Sequence, residues 1–113
     1  MTLPTMPFEF GDIVLVPFPF SDQSTAKQRP AVVVSSSGYQ VQRPDVILLA
    51  VSSQVHAGDL PVRGWREAGL LKPSVFKPVL TTLEQRLVRR KLGQLNPDDR
   101  RALQDLLTSI LGP

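Results

Sequence analysis

Short β-branched runs, each cut off by proline or glycine, recur at roughly 10–15-residue spacing along this 113-residue chain. That rhythm leaves little room for anything but a small β-rich domain. The first run, IVLVPFPF, follows Gly11-Asp12 and contains Pro17 and Pro19. Proline cannot donate to a sheet ladder, so the strand should end, or run along an edge, near Pro17. Residues 1–9 read as an extended lead-in and 21–28 as a polar loop. Arg29-Pro30 then precedes AVVVSS, a continuous apolar run of the kind buried on both faces of a sheet. Residues 38–44 read as turn material, 45–53 (DVILLAVSS) as a strand ending in hydroxyls, and 56–59 as a turn. A short strand is predicted over 60–63, an irregular segment over 64–73, and an extended segment over 74–82 limited by Pro78. Thr82-Leu83-Glu84-Gln85 has capping-box spacing for one helical turn. The last strand is predicted over 88–95, with Gly93 marking a bulge or bend.

The end of the chain carries the strongest helix signals. Asn96 suits an N-cap, Pro97 the first helical position, and Asp98 and Asp99 the first turn. Leu103, Leu106, Leu107, Ile110 and Leu111 recur at helical spacing as one apolar stripe, and Gly112-Pro113 stops it. The expectation is a single domain over 1–113, mainly β with α: a small barrel closed by a C-terminal helix over 97–111. Connections between the strands are too short and too rich in Pro and Gly for an α/β fold. Closure would also remove exposed sheet edges.

The chain has no cysteine and one histidine, His56. Disulfides, thiolate metal sites and cysteine nucleophiles are thereby excluded, as are multi-histidine zinc sites. No metal site and no cofactor is expected: Asp98 and Asp99 are explained by the helix start, other carboxylates are scattered, and no Gly-rich phosphate loop is present. No apolar run approaches the roughly 20 residues of a membrane helix, and the first residues lack a signal-peptide pattern. A cytoplasmic setting is expected, away from membranes. Thirteen basic against ten acidic residues leave a net charge of +3, and nine of the thirteen are arginines. Arginine's planar fork matches phosphate, so the bias leans toward an anionic partner.

Four features are candidates for chemistry. The loop Ser21-Asp22-Gln23-Ser24-Thr25-Ala26-Lys27-Gln28-Arg29-Pro30 ends in cations at the mouth of a buried strand, with Arg29 held extended by Pro30. Ser52-Ser53-Gln54 place hydroxyls at the far end of another. Arg86, Arg89, Arg90 and Lys91 form a basic stretch in which Val88, Arg90 and Leu92 share one strand face, and Arg89 and Lys91 the other. Trp65, flanked by Arg63 and Arg66 and near His56, is suited to base stacking. Each also has a plain structural reading: a solvated loop, strand-end hydrogen bonds, a charged sheet edge, a Trp plugging the barrel.

Taken in order, Gly11-Asp12-Ile13-Val14-Leu15-Val16, Arg29-Pro30-Ala31-Val32-Val33-Val34-Ser35 and Val46-Ile47-Leu48-Leu49-Ala50-Val51-Ser52-Ser53 resemble the MazF/PemK family of toxin–antitoxin toxins. The similarity continues through Leu60-Pro61-Val62, Gly69-Leu70, Lys72-Pro73-Ser74-Val75, Thr82-Leu83 and the closing helix. The resemblance implies an SH3-like barrel with a C-terminal helix, usually homodimeric. It also implies metal-independent endoribonuclease activity on single-stranded RNA at short sequences, leaving 2′,3′-cyclic phosphate and 5′-hydroxyl ends. Its partner would be an antitoxin whose acidic, disordered segment covers the RNA groove.

Matched by position, Arg29 and Ser52 are the implied catalytic residues. Glu9, Asp22 and His56 are candidate acid/base groups, and Gln23, Lys27, Gln28, Ser53, Gln54, Arg63, Trp65 and Lys77 candidate RNA-binding residues. The chain departs from the family in two places. The loop before Arg29-Pro30 lacks the frequent glycines and glutamate, and Lys77 is followed by Pro78-Val79 with no carboxylate. Two alternatives stay open: a CcdB-like gyrase inhibitor, and an inactive RNA-binding or regulatory relative. The first would call for a C-terminal Trp-Gly-Ile, whereas this sequence finishes Ile110-Leu111-Gly112-Pro113.

Overall fold

The computed structural model describes residues 8–18 and 27–113. Six strands among them form one antiparallel sheet: β1 (Asp12–Pro17), β2 (Gln28–Val33), β3 (Asp45–Ser52), β4 (Leu60–Pro61), β5 (Val75–Glu84) and β6 (Arg90–Gln94). The strands lie in the order β4-β5-β3-β2-β1-β6. The sheet curls into a half-barrel, and a C-terminal helix, α2 (Pro97–Leu111), packs on it. Mainly β with a C-terminal helix is therefore the fold. Among the described residues, β4 and β6 are the outer strands of the row, with α2 packed against the curled sheet.

The continuous apolar runs are buried on both faces, as their composition requires. Alternation along β1, β2 and β3 sends Ile13, Val32, Leu49 and Val51 into one core with Phe76, Leu95 and Leu103. The intervening Val14, Val16, Ala31, Val33, Val46, Leu48 and Ala50 form a second core on the opposite face. Leu103 is fully buried, and Leu106 and Leu107 cover the first core. The helical stripe does not stay buried to its end, because Leu111 is 68% exposed.

Local chemistry accounts for most element boundaries. Asn96 caps α2, its Oδ1 accepting the Asp99 N–H at 2.7 Å. Asp12 Oδ2 accepts the Glu9 N–H at 2.9 Å, and Gly11 before it takes φ +94, opening β1.

Three local expectations differ from the structure. Residues 38–44 are not all turn: Ser36 Oγ accepts the Tyr39 N–H at 3.1 Å and caps a short helix, α1 (Ser37–Val41). Pro78 does not limit β5; it sits where the register shifts between Leu49 and Val51, a bulge that needs no donor from it. Thr82, Leu83 and Glu84 remain in β5, and the single turn predicted there is a 3₁₀ helix displaced to Gln85–Leu87. The last strand does carry its irregularity beside Gly93, where the β1–β6 register shifts.

Candidate active site

Antiparallel pairing brings two separate sequence segments to one sheet end. Ala31 pairs with Ala50 in the β2–β3 ladder. Arg29, two residues before Ala31, and Ser52, two residues after Ala50 and the last residue of β3, therefore lie at the same end of this ladder. Both line an open cleft of about 680 Å³. Its apolar lining comes from Leu15 of β1, Pro30 of β2, Val51 of β3 and Leu92 of β6, and one wall from Gly69, Leu70, Leu71 and Lys72. Ser53, Gln54, Ser74 and Arg90 complete the described lining, which holds three cations and no carboxylate.

The Ser52 hydroxyl is oriented from its own turn. Its Oγ accepts the Gln54 N–H at 3.0 Å, which occupies a lone pair and leaves the hydroxyl hydrogen available to donate. Arg29 is exposed at the start of β2, opposite Val16 of β1. The wall is fixed from below by α2. Asp99, itself buried, accepts the backbone N–H groups of Arg63 at 3.2 Å and Gly64 at 2.8 Å. Gly69 takes φ +89, and a Cβ there would lie 2.1 Å from the Leu92 carbonyl oxygen, so the wall and β6 meet backbone to backbone.

The other candidate residues are dispersed. Ser53 and Gln54 line the cleft. Lys27 and Gln28 are exposed before Arg29, outside the lining. Trp65 packs against the first core with the Arg66 guanidinium 5.0 Å from its ring centroid, and Arg63 is exposed beside it. Asp22 and Gln23 lie outside the described residues.

Glu9 precedes β1, near the opposite end of the strand from the Arg29 partner Val16. His56 lies beyond Gln54, and neither acid/base candidate lines the cleft. Lys77 is held in a cluster of its own: its Nζ forms an ion pair with Asp59 and lies 3.3 Å from His56 Nδ1. Asp59 also accepts the His56 N–H at 2.7 Å. The hydrogen bond from Lys77, with that from His56, holds the Asp59 carboxyl below its ordinary range.

Lys72 and Ser74 join the cleft lining without having been candidate site residues, and Arg90 joins it from the basic stretch. Arg90 had a legible signal, the strand alternation that groups it with Leu92. Lys72 and Ser74 had none, because their place depends on how the 64–74 segment folds back. Among the described residues no group of three or more His, Asp or Glu side chains is arranged to hold a metal ion.

A half-barrel with a terminal helix, and a cleft at one sheet end whose described lining holds three cations and no carboxylate, define a small β domain with an electropositive cleft. The chain belongs to the PemK-like, MazF-like toxins of type II toxin–antitoxin systems, whose family model matches residues 9–111. Among solved structures it is similar to a MazE–MazF complex from Deinococcus radiodurans, with TM-score 0.72 and 21% identity over 95% of this chain and 97% of that one. The Mycobacterium tuberculosis toxin MazF-mt6 superposes with TM-score 0.73 and 18% identity over 88% and 95%. An endoribonuclease in complex with its cognate antitoxin, from a mycobacterial species, gives 0.67 and 17% over 96% of each chain. At these identities the likeness is one of fold. No curated protein sequence matches the chain. Among the described residues no helix is long and apolar enough to cross a membrane.

Proposed function

We propose that this toxin is a metal-independent endoribonuclease that cuts single-stranded RNA at short sequences, with Arg29 and Ser52 as its catalytic residues. The observation that supports this reading is that both lie at one end of neighbouring strands and line one open cleft, whose described lining is cationic. In the reaction the RNA's own 2′-oxygen bonds to phosphorus while the bond from phosphorus to the 5′-oxygen breaks. The 2′-hydroxyl proton passes to water and the departing 5′-oxygen takes up a proton, leaving a 2′,3′-cyclic phosphate and a 5′-hydroxyl. Charge accumulates on the non-bridging oxygens of the pentavalent intermediate, where a guanidinium fork and a hydroxyl donor act best. Arg29 is the clamp and not the base, since its guanidinium stays protonated. Ser52 donates to a non-bridging oxygen with its lone pair already taken by Gln54.

In this reading the protein works in the cytoplasm as a homodimer. Its antitoxin lays an acidic segment over the same cations; that such a partner exists is supported by relatives of the same fold bound to their antitoxins. The test is incubation with defined single-stranded RNA in EDTA, comparing wild type with Arg29→Ala and Ser52→Ala. Cleavage should survive chelation and yield cyclic-phosphate ends. It should fall by about 10²–10³ in Arg29→Ala, the scale of one lost transition-state donor. Intact RNA accompanied by gyrase-linked DNA breaks would overturn the assignment.

A further inference from the structure

The basic stretch before and within β6 divides in the fold. Arg86 Nε pairs with Glu84 at 2.8 Å, and Lys91 Nζ lies 3.3 Å from the buried carboxylate of Asp12. Arg90, between them in sequence, has no hydrogen-bond or ion-pair partner among the described residues, and neither has Lys72. Both line the cleft, with no acid among the described residues of its lining. Leu15 of β1 pairs with Pro30 on one side and with Arg90 on the other. Arg90 therefore stands two strand spacings, about 10 Å, from the β2 backbone that carries Arg29. Leu15, Leu92 and Arg90 are neighbours in the lining of the same cleft.

We propose that Arg90 and Lys72 form a second phosphate subsite, which holds the phosphodiester neighbouring the scissile one while the intervening sugar and base lie over Leu15 and Leu92. The proposal rests on the ribonuclease reading and deepens it: the substrate must span at least two phosphates, and Arg90 contributes to binding and register, not to the bond-breaking step. Arg90 and Lys72, unpartnered among the described residues and set beside the apolar Leu15 and Leu92, match the alternation of phosphate and base along a single strand. The partnered Lys91 and Arg86 would add little, their charges being already balanced.

The probe is a mixed-sequence single-stranded RNA of about 12 nucleotides carrying 2′-O-methyl sugars, which cannot be cut. Its affinity for the full-length protein is measured between about 50 and 200 mM salt. In Arg90→Gln the slope of log affinity against log salt should fall in magnitude by about 0.7, and in Arg90→Gln with Lys72→Gln by about 1.4, the single-strand values for one and two lost phosphate contacts. Arg90→Lys should keep most of the slope, and Arg101→Gln, exposed on α2, all of it. With cleavable RNA, Arg90→Gln should raise KM and leave kcat nearly unchanged, while its denaturant midpoint stays that of wild type.

An unchanged salt slope, or a loss confined to kcat, would overturn the subsite while leaving the ribonuclease reading intact. Failure of the wild type to bind or cut RNA would overturn both. Undiminished RNA binding with lost affinity for a poly-glutamate peptide would reassign this end of the cleft to an acidic protein segment and likewise overturn the proposal.

Discussion

Asp99 Oδ2, in the first turn of α2, accepts the backbone N–H of Gly64 at 2.8 Å, and through this bond the C-terminal helix holds the segment that becomes the wall of the cleft. The same carboxylate takes the Arg63 N–H at 3.2 Å, and its own N–H is held by Asn96. One helix cap therefore serves two elements. Asp99→Ala leaves two backbone donors without their acceptor, at a cost of about 1–3 kcal/mol for a lost buried partner. Asn96→Ala removes only the cap and should cost about 1 kcal/mol. Urea unfolding of the two variants should rank them in that order.

The glycines of the chain separate strain from collision. Gly69 combines φ +89 with a backbone oxygen 2.1 Å from where a Cβ would sit, so Gly69→Ala must displace either the wall or β6. Gly58 has a similar φ of +87 and nothing within 4 Å of that position. Gly58→Ala should cost about 1–2 kcal/mol, the left-handed penalty alone, and leave any cleavage activity intact. Gly69→Ala should cost more than this in thermal unfolding and impair RNA binding as well.

The apolar stripe of α2 is graded along its length. Leu103 is fully buried in the first core, whereas Leu111 is 68% exposed. Leu103→Ala should destabilise by about 2–5 kcal/mol, and Leu111→Ala by less than about 0.5 kcal/mol. Equal losses in denaturant unfolding would contradict the packing described here.

Asp59 links stability to pH through its pair with Lys77. Its carboxyl is held below the ordinary value of 3.8, so the pair's contribution is present above that value and disappears as acid titrates the folded-state carboxylate. Asp59→Asn should therefore melt below wild type at neutral pH, with the gap closing under pH 4 or so. A gap of constant size across that range would show that the carboxylate charge is not what matters.

Much of the architecture could be read from local pattern. The two apolar runs marked strands buried on both faces, Pro17 ended the first strand, and Asn96-Pro97 with two aspartates announced the helix. The differences lie where a local rule met a tertiary one. Pro78 reads as a strand limit, yet a bulge opposite Ala50 accommodates it, because the fold supplies a position where no donor is required. The capping-box spacing at Thr82 gave way to ladder hydrogen bonds with β3. Lys77 reads in the sequence as a candidate RNA-binding cation, and only folding brings Asp59 to it across 18 residues.

The candidate site divides in the same way. Residue order and alternation within single strands determined that a cation begins β2, that a hydroxyl ends β3, and that Arg90 shares a face with Leu92. These follow from dihedral periods and apolar burial, which act between near neighbours in sequence. That Arg29, Ser52, Lys72 and Arg90 line one cleft, and that Trp65 and Lys77 stand apart from it, was decided by strand register and by the way the 64–74 segment folds back. Such contacts join residues tens of positions apart, and their energies come into being only once the sheet has curled and the helix has docked.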